Sequence, residues 1–396
     1  MPWNTLSWLL YITLLLPSLY WFLLALASTR RPRPPDAPSI PRSRFLIAIP
    51  AHNEEGVLDA TVHTLLQQNY PRDLYAIHVV ADHCNDGSAD VARKAGATVH
   101  ELNGGPRRGK GAALAWLFDR ALQADAWDAV VVFDADTRVE RDFLSIMDAH
   151  LARGDEVIQG RHVISNPEAG RYAALTWAMF MVDNRFQNLG RANLGWAAKN
   201  MGDSICVQAG VLADMGWEEG LTDDYQLRQK LLLAGIRIAY APAAVGRGQA
   251  APTWASARRQ RARWLQGSYQ AGRLSARSLL LEGLRRRDLA LLDGAAQAYL
   301  PAYSTLTLLC IALLALQFAA DRLAGSLFSP ALLTAWSALA GLLFLYPFFG
   351  LALERAPLRA YAAMLTGPVF IVWRTWLALR ARLGPGTDEW VRTQRE

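Results

Sequence analysis

Read for the rhythm of apolar and polar positions, the chain divides into uninterrupted apolar stretches near both ends and a long alternating segment between them. Trp8 to Ser28, Tyr299–Ala320 and Ser329–Leu353 carry no charged residue, and each is long enough to cross a bilayer. The first has no basic stretch before it and no small-residue cleavage site after it, which predicts a retained anchor. Thr29-Arg30-Arg31-Pro32-Arg33 follows at once, so the positive-inside rule puts the amino terminus outside and the next segment in the cytosol. Residues 29–43 read as a linker, stiffened by the prolines from Pro32 to Pro41. The two later runs, 299–320 and 329–353, are joined through Asp321-Arg322 and predict a hairpin that returns to the cytosol. Ala360–Trp373 is shorter, contains Gly367-Pro368 and leads into Arg374, Arg380 and Arg382. Crossing there would export a basic tail, so 358–396 is predicted as an interfacial or re-entrant helix followed by that tail. The expectation is a multi-pass protein of the inner cell membrane with its central domain cytosolic.

Within 44–246 short β-branched runs alternate with helical periodicity. Phe45–Ile49, Ala76–Val80 and Ala129–Phe133 read as strands, and Gly56–Gln68 as an amphipathic helix between two of them. That order predicts an α/β domain with a parallel sheet flanked by helices. Sites in such sheets gather beyond the carboxyl ends of strands. Here those ends are polar: Asn53-Glu54-Glu55, Asp82-His83-Cys84 and Asp134-Ala135-Asp136. Residues 247–298 read as basic interfacial helices leading into the hairpin.

Composition narrows the class. The 396 residues are 52% hydrophobic and carry a net charge of +6, and the mean hydropathy is +0.08. That is too apolar for an ordinary soluble enzyme and too polar for a pure transporter. The excess positive charge sits in runs such as Arg30-Arg31, Arg258–Arg263 and Arg285-Arg286-Arg287, beside apolar segments, which favours anionic membrane lipid over nucleic acid as the partner. Cys84, Cys206 and Cys310 are too scattered for a disulfide framework or a zinc site.

Each candidate motif has a chemical and a structural reading. Asp134-Ala135-Asp136 could meet a divalent ion that holds a diphosphate, or could be an ordinary Asp-rich turn. Asp82 could accept the imide N–H of uracil, or cap the helix that Asp86-Gly87-Ser88 opens. Gly104 through Lys110 fits G-x-x-x-x-G-K, but Gly111 stands where a phosphate-binding loop requires Ser or Thr. The same loop could bring Lys110 and an arginine to a donor's phosphates. Thr222-Asp223-Asp224 precedes a helical stretch, Tyr225–Ala234, where carboxylates suit the helix dipole; one of them could equally act as a general base. Gln260-Arg261-Ala262-Arg263-Trp264 reads either as a membrane-surface anchor or as a guanidinium and indole facing a diphosphate and a sugar.

Taken in order, these motifs resemble the membrane-integrated family 2 glycosyltransferases, the group of hyaluronan, chitin and cellulose synthases and bacterial exopolysaccharide enzymes. The resemblance runs from about Phe45 to Leu265 and rests on Ile49-Pro50-Ala51-His52-Asn53-Glu54-Glu55, Asp82, Asp134-Ala135-Asp136, Thr222-Asp223-Asp224 and Gln260 to Trp264. It implies a GT-A fold and inverting transfer, hence a β linkage from an α-linked UDP-sugar. It further implies that Pro50, Asn53 and Glu54 belong to the donor site, that Asp82 meets uracil and Lys110 the phosphates. Asp134 and Asp136 would meet the nucleotide and Mg2+ or Mn2+, Asp224 would be the catalytic base, and Gln260, Arg263 and Trp264 would line the donor and acceptor end. Two departures stand out: Thr-Asp-Asp replaces the usual Thr-Glu-Asp, and Ala-Asp-His-Cys-Asn-Asp replaces a plain Asp-Asp-Gly.

Three readings follow. The first is transfer from a UDP-hexose or UDP-N-acetylhexosamine onto a growing saccharide; the second is a single transfer onto a lipid, giving a glycolipid. The third is a membrane-tethered nucleotide-binding protein with no transfer activity.

Overall fold

A computed structural model describes residues 2–33, 35, 40–220 and 222–383. Parts of the predicted linker (34 and 36–39) and the tail beyond 383 lie outside the described residues.

The alternating segment folds around eight strands: β1 (Phe45–Ala51), β2 (Tyr75–Asp82), β3 (Thr98–Leu102), β4 (Ala129–Val132), β5 (Arg138–Val139), β6 (Val157–Ile164), β7 (Ile205–Gln208) and β8 (Ile238–Gly248). They form one sheet in the order β3-β2-β1-β4-β7-β6-β8-β5. The half from β3 to β4 is parallel, as the alternation of strands and helices predicts. The other half corrects that expectation, because β7 runs antiparallel to both β4 and β6, and β5 antiparallel to β8, so the sheet is mixed. Period 2 sorts the side chains onto two faces. From β1, Leu46 and Ala48 enter a core shared with the helices Lys110–Ala124 and Asp223–Ala234. Phe45, Ile47 and Ile49 enter the opposite core, under the helices Glu55–Leu66 and Phe143–Ala152.

The first apolar helix runs Pro2–Ala27, starting ahead of the apolar stretch that predicted it. The later helices are Tyr303–Ala324, displaced toward the carboxyl end of the predicted run, and Pro330–Leu353. All three are apolar and long enough to cross a membrane. They are joined by a buried polar chain: Trp336 Nε1 donates to Ser7 Oγ at 3.0 Å, and Ser7 Oγ donates to Gln317 Oε1 at 2.7 Å. Each helix contributes one member, so the hydrogen bonds tie all three together where lipid could not satisfy them. Leu358–Met364 and Gly367–Arg380 meet at a 45° bend, a geometry shared by a broken span and a re-entrant loop.

Between the sheet and the apolar helices lie Trp254–Arg286, begun by a Thr253/Ser256 capping box, and Leu289–Tyr299. At Gly190 a Cβ would fall 2.4 Å from the carbonyl oxygen of Leu24, so the end of the first apolar helix rests directly on the central domain's backbone.

Candidate active site

The register of the parallel half builds the site. Ala48 pairs with Val132 and Ala51 with Ala81, which brings Pro50, Asp82 and Asp134 together at the carboxyl edge. Beyond that edge opens a cavity of about 790 Å³. Its wall includes Pro50, Glu54, Asp82, Lys110, Asp134, Asp224, Gln260, Arg263 and Trp264. Residues separated by more than two hundred positions thus share one space.

Asp82 ends β2 and is buried, so it does not cap the next helix. His83 Nδ1 lies 2.7 Å from its Oδ1 and Arg107 Nε 3.1 Å from its Oδ2. Gly87 is the cap of that helix, and Asp86 before it braces the helix start, its Oδ1 accepting from Ser88 N at 3.0 Å and Ser88 Oγ at 2.5 Å. Lys110 begins the helix Lys110–Ala124, immediately after Gly109, whose φ of 95° lies in the region only glycine enters freely. From there its ammonium donates to Asp134 Oδ1 at 2.6 Å and to the Gly202 carbonyl oxygen. Burial alone would lower the Lys110 pKa. The charges of Asp134, Asp223 and Asp203 outweigh burial and raise it, so the ammonium stays charged.

Gly111 settles the near-match to a phosphate-binding loop. A Cβ there would sit 2.4 Å from the Glu218 carbonyl oxygen, so the hydroxyl residue that a mononucleotide loop requires has no room. Gly111→Ser should therefore cost about 1–3 kcal/mol through overpacking, read as a lower thermal unfolding midpoint. A variant as stable as the parent would show that this close approach is not needed.

Asp223 and Asp224 open the helix Asp223–Ala234. Asp223 is buried, and Trp217 Nε1 donates to its Oδ2 at 3.0 Å. Asp224 is half-buried on the cavity wall, and Tyr225 N donates to its Oδ1 at 2.8 Å. Removal from water, then the neighbouring Asp223 charge, push the Asp224 carboxyl up to about 6, against the smaller opposing pull of Tyr225 N, Lys110 and Arg263. The long basic helix closes this side. At Gly267 a Cβ would meet Thr222 Cγ2 at 2.5 Å, and this close approach seats Gln260, Arg263 and Trp264 over the carboxylates. Those three positions share one helical face by their i, i+3, i+4 spacing. Burial lowers the Arg263 pKa, opposed by Asp223, Asp224 and Asp134.

Two of the predicted donor and metal residues are placed differently. Asn53 takes a left-handed φ of 56°, and its side-chain oxygen accepts from Asn85 N at 2.9 Å, so it braces two loops and is absent from the cavity wall. Asp136 is buried off the wall, with its Oδ2 accepting from Gln249 N at 3.2 Å. Other residues of the site were not singled out from sequence. Asp203 lies beneath the wall: Oδ1 accepts from Asp134 N at 2.9 Å and Thr137 Oγ1 at 3.0 Å, while Oδ2 accepts from Ser204 Oγ at 3.0 Å and pairs with His162. Arg107 was visible only as one of two arginines in a glycine loop.

With this geometry in place, comparison with known proteins decides the family. Residues 41–267, more than half of the chain, match the family described as Glycosyltransferase like family 2. The chain belongs to that family. As a family 2 glycosyltransferase it is similar to the probable glycosyltransferase YdaM of Bacillus subtilis, 24% identical over 56% of this chain and 54% of that one. It is also similar to the beta-monoglucosyldiacylglycerol synthase of Synechocystis, 28% identical over 59% of this chain and 50% of the relative. The match thus spans about half the length of these curated relatives. Among solved structures, the mannosyltransferase PcManGT from Pyrobaculum calidifontis, in complex with GDP-Man and Mn2+, superposes with a TM-score of 0.58 at 18% identity, covering 96% of this chain and 97% of that one. The family 2 domain has the GT-A fold, in which the mixed sheet is carried between helices apolar enough to span a membrane.

Proposed function

We propose that this glycosyltransferase moves a hexose or N-acetylhexosamine from a UDP-sugar, with inversion, onto a hydroxyl presented at the cytosolic face of the inner membrane. The observation that carries the reading is the placement of Asp224. It is a carboxylate whose pKa is raised to about 6 by burial and by the Asp223 charge, on the same cavity wall as Asp82, Lys110, Asp134 and Arg263.

Asp82 supplies the acceptor atoms for a uracil imide, held in place by Arg107 and His83. Lys110 and Arg263 face the diphosphate, and the Trp264 indole offers an apolar face to the sugar ring. Asp224 takes the proton of the attacking hydroxyl while its oxygen bonds to the anomeric carbon and the bond to the diphosphate breaks. A single protein carboxylate suffices, since a diphosphate leaves without protonation. The donor set also fits Mg2+ or Mn2+: Asp134 Oδ1 is engaged by Lys110, and its Oδ2 accepts no hydrogen bond from a described residue. Among the described residues no three His, Cys, Asp or Glu side chains gather around one point, so such an ion would draw further ligands from the diphosphate and water. Its contribution would be to neutralise charge on the leaving diphosphate. Arg30, Arg31 and Arg33 directly after the first apolar helix support the cytosolic placement of the domain.

The test is transfer by the full chain in liposomes supplied with UDP-glucose, UDP-N-acetylglucosamine or GDP-mannose, with and without EDTA. One UDP-sugar should give a β-linked product, with activity lost to EDTA and restored by Mg2+ or Mn2+. A GDP-mannose preference, an α linkage, or no transfer with any donor would refute the assignment.

A further inference from the structure

A second cavity, of about 460 Å³, opens between the apolar helices and the central domain. Most of its wall is apolar, with Leu175, Phe180 and Met179 from one side and Tyr346, Phe348 and Ile371 from the other. Three cations reach it: Lys199, Arg261 and Arg374. Lys199 is neutralised by Asp183 at 2.8 Å. The other two have no carboxylate partner among the described residues. Arg374 Nη1 donates to Ser304 Oγ at 2.5 Å, and Arg261 Nε donates to Tyr172 Oη at 2.7 Å. Two guanidiniums with spare donors, near enough for the charge of one to act on the other, in the wall of an apolar cavity form a site for an anion that carries a hydrocarbon. The same wall holds two buried polar groups without hydrogen-bond partners among the described residues, Tyr346 Oη and Trp21 Nε1. Groups so placed ask for oxygen atoms from whatever fills the space.

This cavity and the donor cavity flank the same helix. Gln260, Arg263 and Trp264 line the donor side and Arg261 the other, with the Arg261 guanidinium 4.9 Å from the centre of the Trp264 ring. A headgroup seated on Arg261 is therefore separated from the sugar-transfer cavity by one indole.

We propose that the second cavity binds the acceptor, a membrane lipid whose headgroup carries both a phosphate and a hydroxyl. Its chain lies along the apolar wall, its phosphate between Arg261 and Arg374, and its hydroxyl beside Trp264. This rests on the transfer reading above: the hydroxyl loses its proton to Asp224, its oxygen bonds to the anomeric carbon, and the nucleoside diphosphate departs with the electrons of the broken bond.

The experiment compares the full chain in neutral-lipid nanodiscs supplied with phosphatidylglycerol or with diacylglycerol of the same chains. Both offer a hydroxyl, and only the first a phosphate. Phosphatidylglycerol should show a KM lower by about tenfold or more, as expected for charge-assisted hydrogen bonds to a phosphate. Arg374→Gln should erase that preference and Arg374→Lys restore part of it. Soluble glycerol phosphate should compete only weakly, since it lacks the chain. Equal use of diacylglycerol, a preference that survives Arg374→Gln, or full competition by glycerol phosphate would overturn the proposal. UDP affinity measured on the same samples separates the two failures: a chain that binds UDP and transfers to diacylglycerol keeps the transfer reading and loses the lipid phosphate. A chain that transfers to neither loses both.

Discussion

Asp224→Asn should lower sugar transfer by about 10²–10⁴-fold, the span that a positioned general base contributes, while UDP still binds. The amide keeps the size of the carboxylate and its hydrogen bond from Tyr225 N at 2.8 Å, so the first turn of the helix Asp223–Ala234 is preserved. What disappears is the only feature the reaction asks of this position, a basic oxygen facing the cavity. Titrating UDP by calorimetry alongside product formation separates the two effects. Transfer within a few-fold of the parent would assign the proton to another group.

The same residue sets the pH dependence. Its carboxyl is pushed up to about 6 by burial and by the Asp223 charge. A base with a raised pKa is protonated, and inactive, below that value. Turnover should therefore fall as pH drops through about 6 and level off above it, and Asp224→Asn should flatten this limb.

How much of this was legible in the sequence depended on the range of the interaction. The apolar runs and the strands before Asn53, Asp82 and Asp134 carry their own periodicity, and register alone then brings Pro50, Asp82 and Asp134 to one edge. The antiparallel β7 was not legible, because its direction is set by pairing with β4 and β6, distant in the chain, and not by any local period. Nor was Asp203, which acts through bonds to Asp134 N and Thr137 Oγ1, more than sixty positions away. The carboxylates of Thr222-Asp223-Asp224 occupy a helix's first turn, as the helix-dipole reading expects, and they also line the cavity. Asn53 and Asp136 belong to the right loops, yet backbone partners claim their side chains.

Asp293→Ala should unfold or uncouple the protein although it lies outside the donor cavity. Asp293 is 2% exposed and sits between two guanidiniums, Arg191 and Arg228, that are 0% and 1% exposed. Each lies 3.0 Å from its Oδ2. Tyr20 Oη from the first apolar helix donates to Oδ1 at 2.8 Å, and Gln297 Nε2 donates to Oδ2 at 2.9 Å. The cluster thus fastens the first apolar helix, the central domain and the helix Leu289–Tyr299 to one another. It is already short of negative charge, and Arg228 Nη1 has no hydrogen-bond partner among the described residues. Removing the carboxylate strands two cations in a dry interior, a change that typically costs about 3–5 kcal/mol out of a total stability of about 5–15 kcal/mol. The expected result in detergent is a fall of order 10 °C in the unfolding midpoint, with loss of the monodisperse peak on size exclusion. Asp293→Asn, which retains the shape and part of the hydrogen bonding, should lie between the two. If the alanine variant melted with the parent, the charges would have to be solvated in the folded protein, and the first apolar helix would be held by apolar packing alone.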